Sequence, residues 1–342
     1  MNIPLMRPTL RRKDYNSVLN CLVTDQIAAG PLNQEFASTL SKILGAAGGT
    51  ALISYRSSIE YALRLLELEE GDGVVLSALA PREYHRILKA RRLEPLIVDV
   101  DGRRPLPSPE SVEHHLRGGA KAIVLYYTLG ALPGEDELFR FGVPVLEDVS
   151  QAVGGVWGGR PCGARGRATV LSLDPGGLIT AGCGGAVFAP DRRTVRTLRE
   201  FAAGEHGAEL LPDMNAALGL YQVRELPRFL SKREEIARVF REALQRSRHS
   251  SLLEEGAGVD FGFPVVVEQG RPEVRRYAEK RGIQTEAAFA DTVLSVEWVD
   301  AAAGENYPNA EKYRWRTLLF PLYPSLARKD IQLLCKVLST LP

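Results

Sequence analysis

The chain has 342 residues, of which 45% are hydrophobic and 25% charged, with a formal net charge of +1. That length suits one large domain with a smaller companion, and the composition is that of an ordinary soluble globular protein. A near-neutral charge without a block of one sign argues against a nucleic-acid or membrane-surface partner.

The opening residues Met1 to Pro8 carry no apolar core of signal-peptide length, and Arg11-Arg12 runs directly into Lys13-Asp14. No apolar run approaches the ~20 residues of a membrane helix, so a cytoplasmic protein is expected. The four cysteines, Cys21, Cys162, Cys183 and Cys335, lie far apart without a C-x-x-C pair. They read as small buried thiols rather than as a metal or redox site.

Strand and helix signals alternate from the first apolar run onward. Thr50–Ser54 is a short strand leading into a helical pattern over Ser58–Leu68. Gly73–Ser77 is a second strand, followed by a helix over Glu83–Arg92, and Pro95–Val100, Ala122–Tyr127 and Val143–Asp148 continue the series. Apolar runs of this kind, separated by helices, predict a mostly parallel sheet buried on both faces. Thr169–Leu173 and Gly185–Ala189 flank a glycine-rich segment and predict a late hairpin. A long helical pattern over Leu218–Arg246 then gives way to a strand at Gly262–Glu268 and a helix at Pro272–Arg281. A boundary near residue 220 is expected, dividing a large α/β domain over 1–220 from a smaller α+β domain over 221–342.

These pieces carry local motifs. Ile3-Pro4-Leu5 with Arg7-Pro8, the pair Gly30-Pro31, Gly71-Asp72-Gly73-Val74-Val75, Pro95–Asp101, Val145-Leu146-Glu147-Asp148-Val149-Ser150-Gln151-Ala152 and Phe320–Leu326 follow one another in register. Together they resemble the DegT/DnrJ/StrS family of sugar aminotransferases. The resemblance implies a fold-type I architecture that binds pyridoxal phosphate (PLP), and a homodimer with its sites at the subunit interface.

On that resemblance, Asp148 pairs with the pyridine nitrogen of PLP, keeping the ring an electron sink. A turn aspartate after a strand is the plain alternative. Gln151 corresponds to a residue near the phenolic oxygen of the cofactor, and Ser172 to a serine that holds its phosphate. Ser54-Tyr55-Arg56-Ser57-Ser58 lies where the family cradles phosphate at a helix N-terminus. Here Tyr55 replaces the glycine that permits close backbone approach. Arg56 replaces a threonine and reads either as an anion ligand or as a surface arginine.

The decisive expectation concerns a missing amine. By the same resemblance the Schiff-base lysine falls on Gly177, and no lysine occurs between Lys121 and Lys232. Arginine is no substitute, because its guanidinium stays protonated. A histidine in that place is also excluded, since none occurs between His115 and His206. Ser77–Pro81 lacks the family's ring-stacking aromatic, although Tyr84 and His85 follow one helical turn onward. Ala208-Glu209-Leu210-Leu211 lacks the asparagine and arginine that reach into the partner's site.

The sequence therefore predicts an aminotransferase-like pseudoenzyme with no covalent PLP and no catalytic lysine, keeping a dimeric scaffold and a small-molecule pocket for a nucleotide sugar or an anion. Two other readings stand beside it. One is an enzyme of sugar or cell-surface polysaccharide biosynthesis with noncovalent PLP or its amine form, PMP, using Tyr84, His85 or Asp174 to move protons. The other is an active aminotransferase recruiting Lys89, Lys121 or Lys232.

Overall fold

The computed structural model of the protein describes residues 2–134, 137–204, 209–295 and 307–342. Helices α1 (Arg12–Val23) and α2 (Pro31–Leu44) come first. Then β1 (Gly48–Leu52), α3 (Tyr55–Arg64), β2 (Gly73–Ser77), α4 (Arg82–Ala90), β3 (Glu94–Val98), α5 (Pro109–Arg117), β4 (Ala122–Tyr126), α6 (Glu137–Arg140) and β5 (Val145–Asp148) alternate. A short ribbon, β6 (Val156–Trp157) with β7 (Arg160–Pro161), leads to the hairpin of β8 (Ala168–Ser172) and β9 (Gly185–Ala189). Helix α7 (Arg192–Gly204) and the 32-residue α8 (Asp213–Leu244) follow.

The main sheet has the order β1-β9-β8-β5-β4-β2-β3. Every pairing is parallel except the two made by β9. Its strands are mostly apolar, as a sheet covered by helices on both faces requires, and all five residues of β4 are buried. Helix α2 shows how local chemistry fixes an element. It starts with Pro31 at its first turn, where a missing N–H costs nothing, and stops at Gly45 in the left-handed region with φ 65°. Its orphan amides are capped from a distance: the Asp213 carboxylate accepts from the N–H groups of Gly30, Leu32 and Asn33 at 2.8, 3.1 and 2.8 Å.

A second core forms where β10 (Ser250–Ser251), β11 (Phe263–Val266), β12 (Glu286–Ala287) and β13 (Thr317–Phe320) make a four-stranded antiparallel sheet in the order β10-β11-β13-β12. Helix α9 (Arg271–Glu279) and the helix Arg328–Leu338 pack with it, and Phe240 meets Phe263 edge-on at 5.3 Å.

Residue 220 falls inside α8, which serves both cores. Ala216, Leu220, Val223 and Leu226 belong to the large one, and Ile236, Ala237, Phe240 and Leu244 to the small one. The chain also crosses between the cores elsewhere. Ile3 joins the small core through its N–H bond to the Gly282 carbonyl. Phe289, Val293, Leu294 and the helix Pro308–Arg316 return to the large core, where Asp99 accepts from the N–H groups of Asn309 and Ala310. Among the described residues, no helix is long and apolar enough to cross a membrane.

Candidate functional site

Two adjacent carboxylates, Glu147 and Asp148, end strand β5 and are fully buried. Successive residues of a strand point to opposite faces, so they serve different surroundings. Glu147 accepts from the Tyr127 hydroxyl at 2.5 Å and from the N–H groups of Gly163, Arg165 and Gly166. It therefore organises the turn before β8. Asp148 faces the other way, at the C-terminal edge of the parallel strands, where α/β sheets place their ligand groups.

The partners of Asp148 come from three elements. Oδ2 accepts from the Tyr55 hydroxyl, carried on the first turn of α3, and from the Tyr84 hydroxyl, carried on α4, each at 2.5 Å. Oδ1 accepts from the Ser150 N–H at 2.9 Å and the Ser150 hydroxyl at 2.5 Å. Parallel register sets Tyr126 of β4 beside Asp148, and its ring adds a third phenol to the cluster. Burial raises the Asp148 pKa, and the hydrogen bonds from Ser150, Tyr55 and Tyr84 oppose that rise. Tyr55, Tyr84 and Tyr126 are pushed well above the usual phenol range, first by burial and then by the negative charge of Asp148. All three stay protonated at neutral pH, and Tyr55 and Tyr84 donate to Asp148.

The other expected site residues are brought nearby but are occupied by neighbouring groups. The Ser172 hydroxyl donates to Asp174 Oδ2 at 2.8 Å. Gln151 Oε1 accepts from the Leu129 N–H at 2.5 Å, bracing a residue held in the left-handed region at φ 54°. At the start of α3 the Ser54 hydroxyl oxygen accepts from the Ser57 N–H at 2.9 Å, capping the helix with its own side chain. Arg56 is exposed and paired with Glu60 at 2.9 Å and Glu83 at 3.2 Å. Arg56 therefore sits on the surface in two exposed ion pairs beside the start of α3.

Gly177 lies in the turn closed by its own N–H to the Asp174 carbonyl. A Cβ there would stand 2.7 Å from the Ile179 carbonyl oxygen, which leaves no room for any side chain without a backbone shift. The three lysines that an active aminotransferase would have to recruit are paired or exposed. Lys89 pairs with Glu94, Lys232 pairs with Glu235, and Lys121 is exposed. No described lysine side chain is buried.

Ala78, Leu79 and Ala80, at the expected ring-stacking segment, are buried, and their backbone bonds Val293 and Leu294. His85 is also buried, with its pKa lowered by desolvation and by Lys89. Ala208 lies outside the described residues. Leu210 and Leu211 line the large core, with Leu210 bridged to Leu52. Cys21 and Cys162 are buried thiols as expected, whereas Cys183 is exposed because it lies in the glycine-rich surface loop before β9.

The sequence reading missed the convergence of Tyr55 and Tyr84 on one carboxylate oxygen. A pairing of residues 93 and 64 positions from Asp148 leaves no periodic signal. The one available hint was a large aromatic replacing glycine at a helix start that the resemblance assigns to a cofactor.

Residues 8–339 match the DegT/DnrJ/EryC1/StrS aminotransferase family. The chain belongs to that family. Within solved structures the DegT-family fold recurs closely. Spr1654 of Streptococcus pneumoniae, described as a sugar aminotransferase and seen in its PMP form, is 20% identical, with a TM-score of 0.92 over 100% of this chain and 98% of that one. The aminotransferase TlmJ of Streptoalloteichus hindustanus is 23% identical, with a TM-score of 0.90 over 99% and 98%. Helicobacter pylori PseC, an aminotransferase involved in pseudoaminic acid biosynthesis, is 18% identical, with a TM-score of 0.89 over the same shares. At these identities the likeness concerns the fold.

All four acceptor positions of the Asp148 carboxylate are taken by protein donors, which leaves none for a pyridinium N–H. Ser172 is engaged by a carboxylate, and the helix start is self-capped.

Proposed function

We propose that this DegT-family chain does not transaminate. It uses the aminotransferase fold as a cytoplasmic, homodimeric scaffold, with a pocket for a small molecule rather than a covalent cofactor. The observation that carries this reading is the absence of an available amine: the segment from residue 122 to 231 contains no lysine, and no described lysine side chain is buried. A Schiff-base enzyme depends wholly on that nucleophile, and its removal costs many orders of magnitude in rate. The crowding at Gly177 supports the same conclusion, since that backbone has settled into a turn with no space for a side chain.

The test is borohydride reduction after incubation with PLP, followed by peptide mapping. The expected result is scattered, substoichiometric labelling of surface lysines; a stoichiometric adduct at one lysine overturns the reading. The dimer is tested by sedimentation, and a monomer at micromolar concentration removes that part of the proposal.

Family membership, together with a neighbour of the same fold in its PMP form, favours a second reading. In it the chain is an enzyme of sugar or cell-surface polysaccharide biosynthesis that holds PLP or PMP noncovalently. It predicts saturable binding of PMP to the unmodified protein, abolished by Asp148→Ala. Titration without saturation rejects it.

A further inference from the structure

The Asp148 cluster contains more than losses. Here the carboxylate has acquired two phenols from separate elements, both on Oδ2. We propose that Tyr55 is a built-in occupant of the ring site, a side-chain plug that takes the acceptor position a pyridine ring would need and so closes the site to any ring-bearing phosphate. This closure rests on the reading above for the identity of the site.

The geometry distinguishes the two tyrosines. Tyr84 is fully buried on α4 and belongs to the core. Tyr55 is only half-buried and opens α3, so it forms the outer layer of the cluster. Its path inward is fixed by its backbone. A Cβ at Gly185 of β9 would stand 2.8 Å from the Tyr55 Cα and 2.5 Å from the Ser58 hydroxyl oxygen, so the first turn of α3 sits directly on β9. From there the phenol crosses to the end of β5. Because burial and Asp148 hold it protonated, it remains a donor and competes with a pyridinium N–H for the same lone pair. Replacing Tyr55 with glycine removes the ring and frees one acceptor position, while Tyr84 and Ser150 keep the carboxylate in place.

The experiment titrates pyridoxamine 5′-phosphate, which needs no amine on the protein, into the wild-type protein and three variants. Binding is followed by calorimetry, and circular dichroism checks the fold. Tyr55→Gly is expected to bind saturably, about tenfold or more tighter than the wild-type protein, the scale of one charge-assisted hydrogen bond. Tyr55→Phe, which frees the acceptor position but leaves the ring in the site, is expected to gain less than Tyr55→Gly. Tyr55→Gly combined with Asp148→Ala is expected to lose the gain.

A folded Tyr55→Gly protein that binds no better than wild type overturns the plug while leaving the missing-amine reading intact. A wild-type protein that binds as tightly as Tyr55→Gly overturns it as well. A borohydride adduct on wild type strikes the missing-amine reading instead. If Tyr55→Gly does not fold, Tyr55→Ser, which keeps a helix-compatible residue, is judged by the same criteria.

Discussion

Removing the Tyr84 hydroxyl tests whether the Asp148 cluster is structural. Tyr84→Phe preserves a fully buried ring and deletes one hydrogen bond of 2.5 Å to the carboxylate. A hydrogen bond to an ionised acceptor contributes about 1.5–3 kcal/mol, so the variant is expected to lose that much stability. Asp148→Ala removes the acceptor of Tyr55, Tyr84 and Ser150 together but also relieves the desolvation of a buried carboxylate. Its net cost is expected at about 3–5 kcal/mol, a large share of the roughly 5–15 kcal/mol that holds a typical protein folded. The two losses share one contact. In a double-mutant cycle measured by urea unfolding at pH 8, the pair is expected to couple by about 1–3 kcal/mol. A coupling within about 0.5 kcal/mol of zero, or a neutral Asp148→Ala, refutes the idea that the carboxylate is satisfied by protein donors rather than reserved for a ligand.

Gly177→Lys should not restore a Schiff base. Its Cβ meets the Ile179 carbonyl oxygen at 2.7 Å, and the strain is expected to cost about 1–3 kcal/mol in thermal unfolding; a stable variant forming a stoichiometric PLP adduct contradicts this. Stability should also fall as pH drops below about 6.5, because His85 and His249 have folded pKa values lowered mainly by burial. The unfolded chain then binds more protons than the folded one, so the loss begins at the unfolded histidine pKa and continues down to the folded one. His249→Gln should flatten the curve of melting temperature against pH over that window, and an unchanged slope would count against it. Asp213→Ala strips the cap from three amides of α2 and is expected to cost about 1–2 kcal/mol by chemical denaturation, with no loss meaning that another group caps the helix.

The main sheet was legible because its strands are local signals. Gly73–Ser77 and Gly185–Ala189 form strands over the predicted ranges, and the hairpin of β8 and β9 pairs antiparallel as its glycine-rich connection suggested. Helix ends moved by a few residues. Helix α3 begins at Tyr55 rather than Ser58 because the Ser54 hydroxyl caps it. The division near residue 220 was less legible, since α8 carries one apolar stripe into each core and helical periodicity does not mark where one core ends.

By itself the sequence determined the order of elements, the family motifs and the absence of a lysine between Lys121 and Lys232, all of which depend on residues adjacent or regularly spaced in the chain. Only the tertiary structure decided what became of the residues left behind. Arg56 was drawn into pairs with Glu60 and Glu83, Ser172 was bound by Asp174, and Asp148 was filled by Tyr55 and Tyr84. The physical reason is that a buried carboxylate must find donors wherever the fold supplies them. Those donors come from the ends of α3 and α4, which lie far from β5 in the chain and meet it only once the sheet has formed.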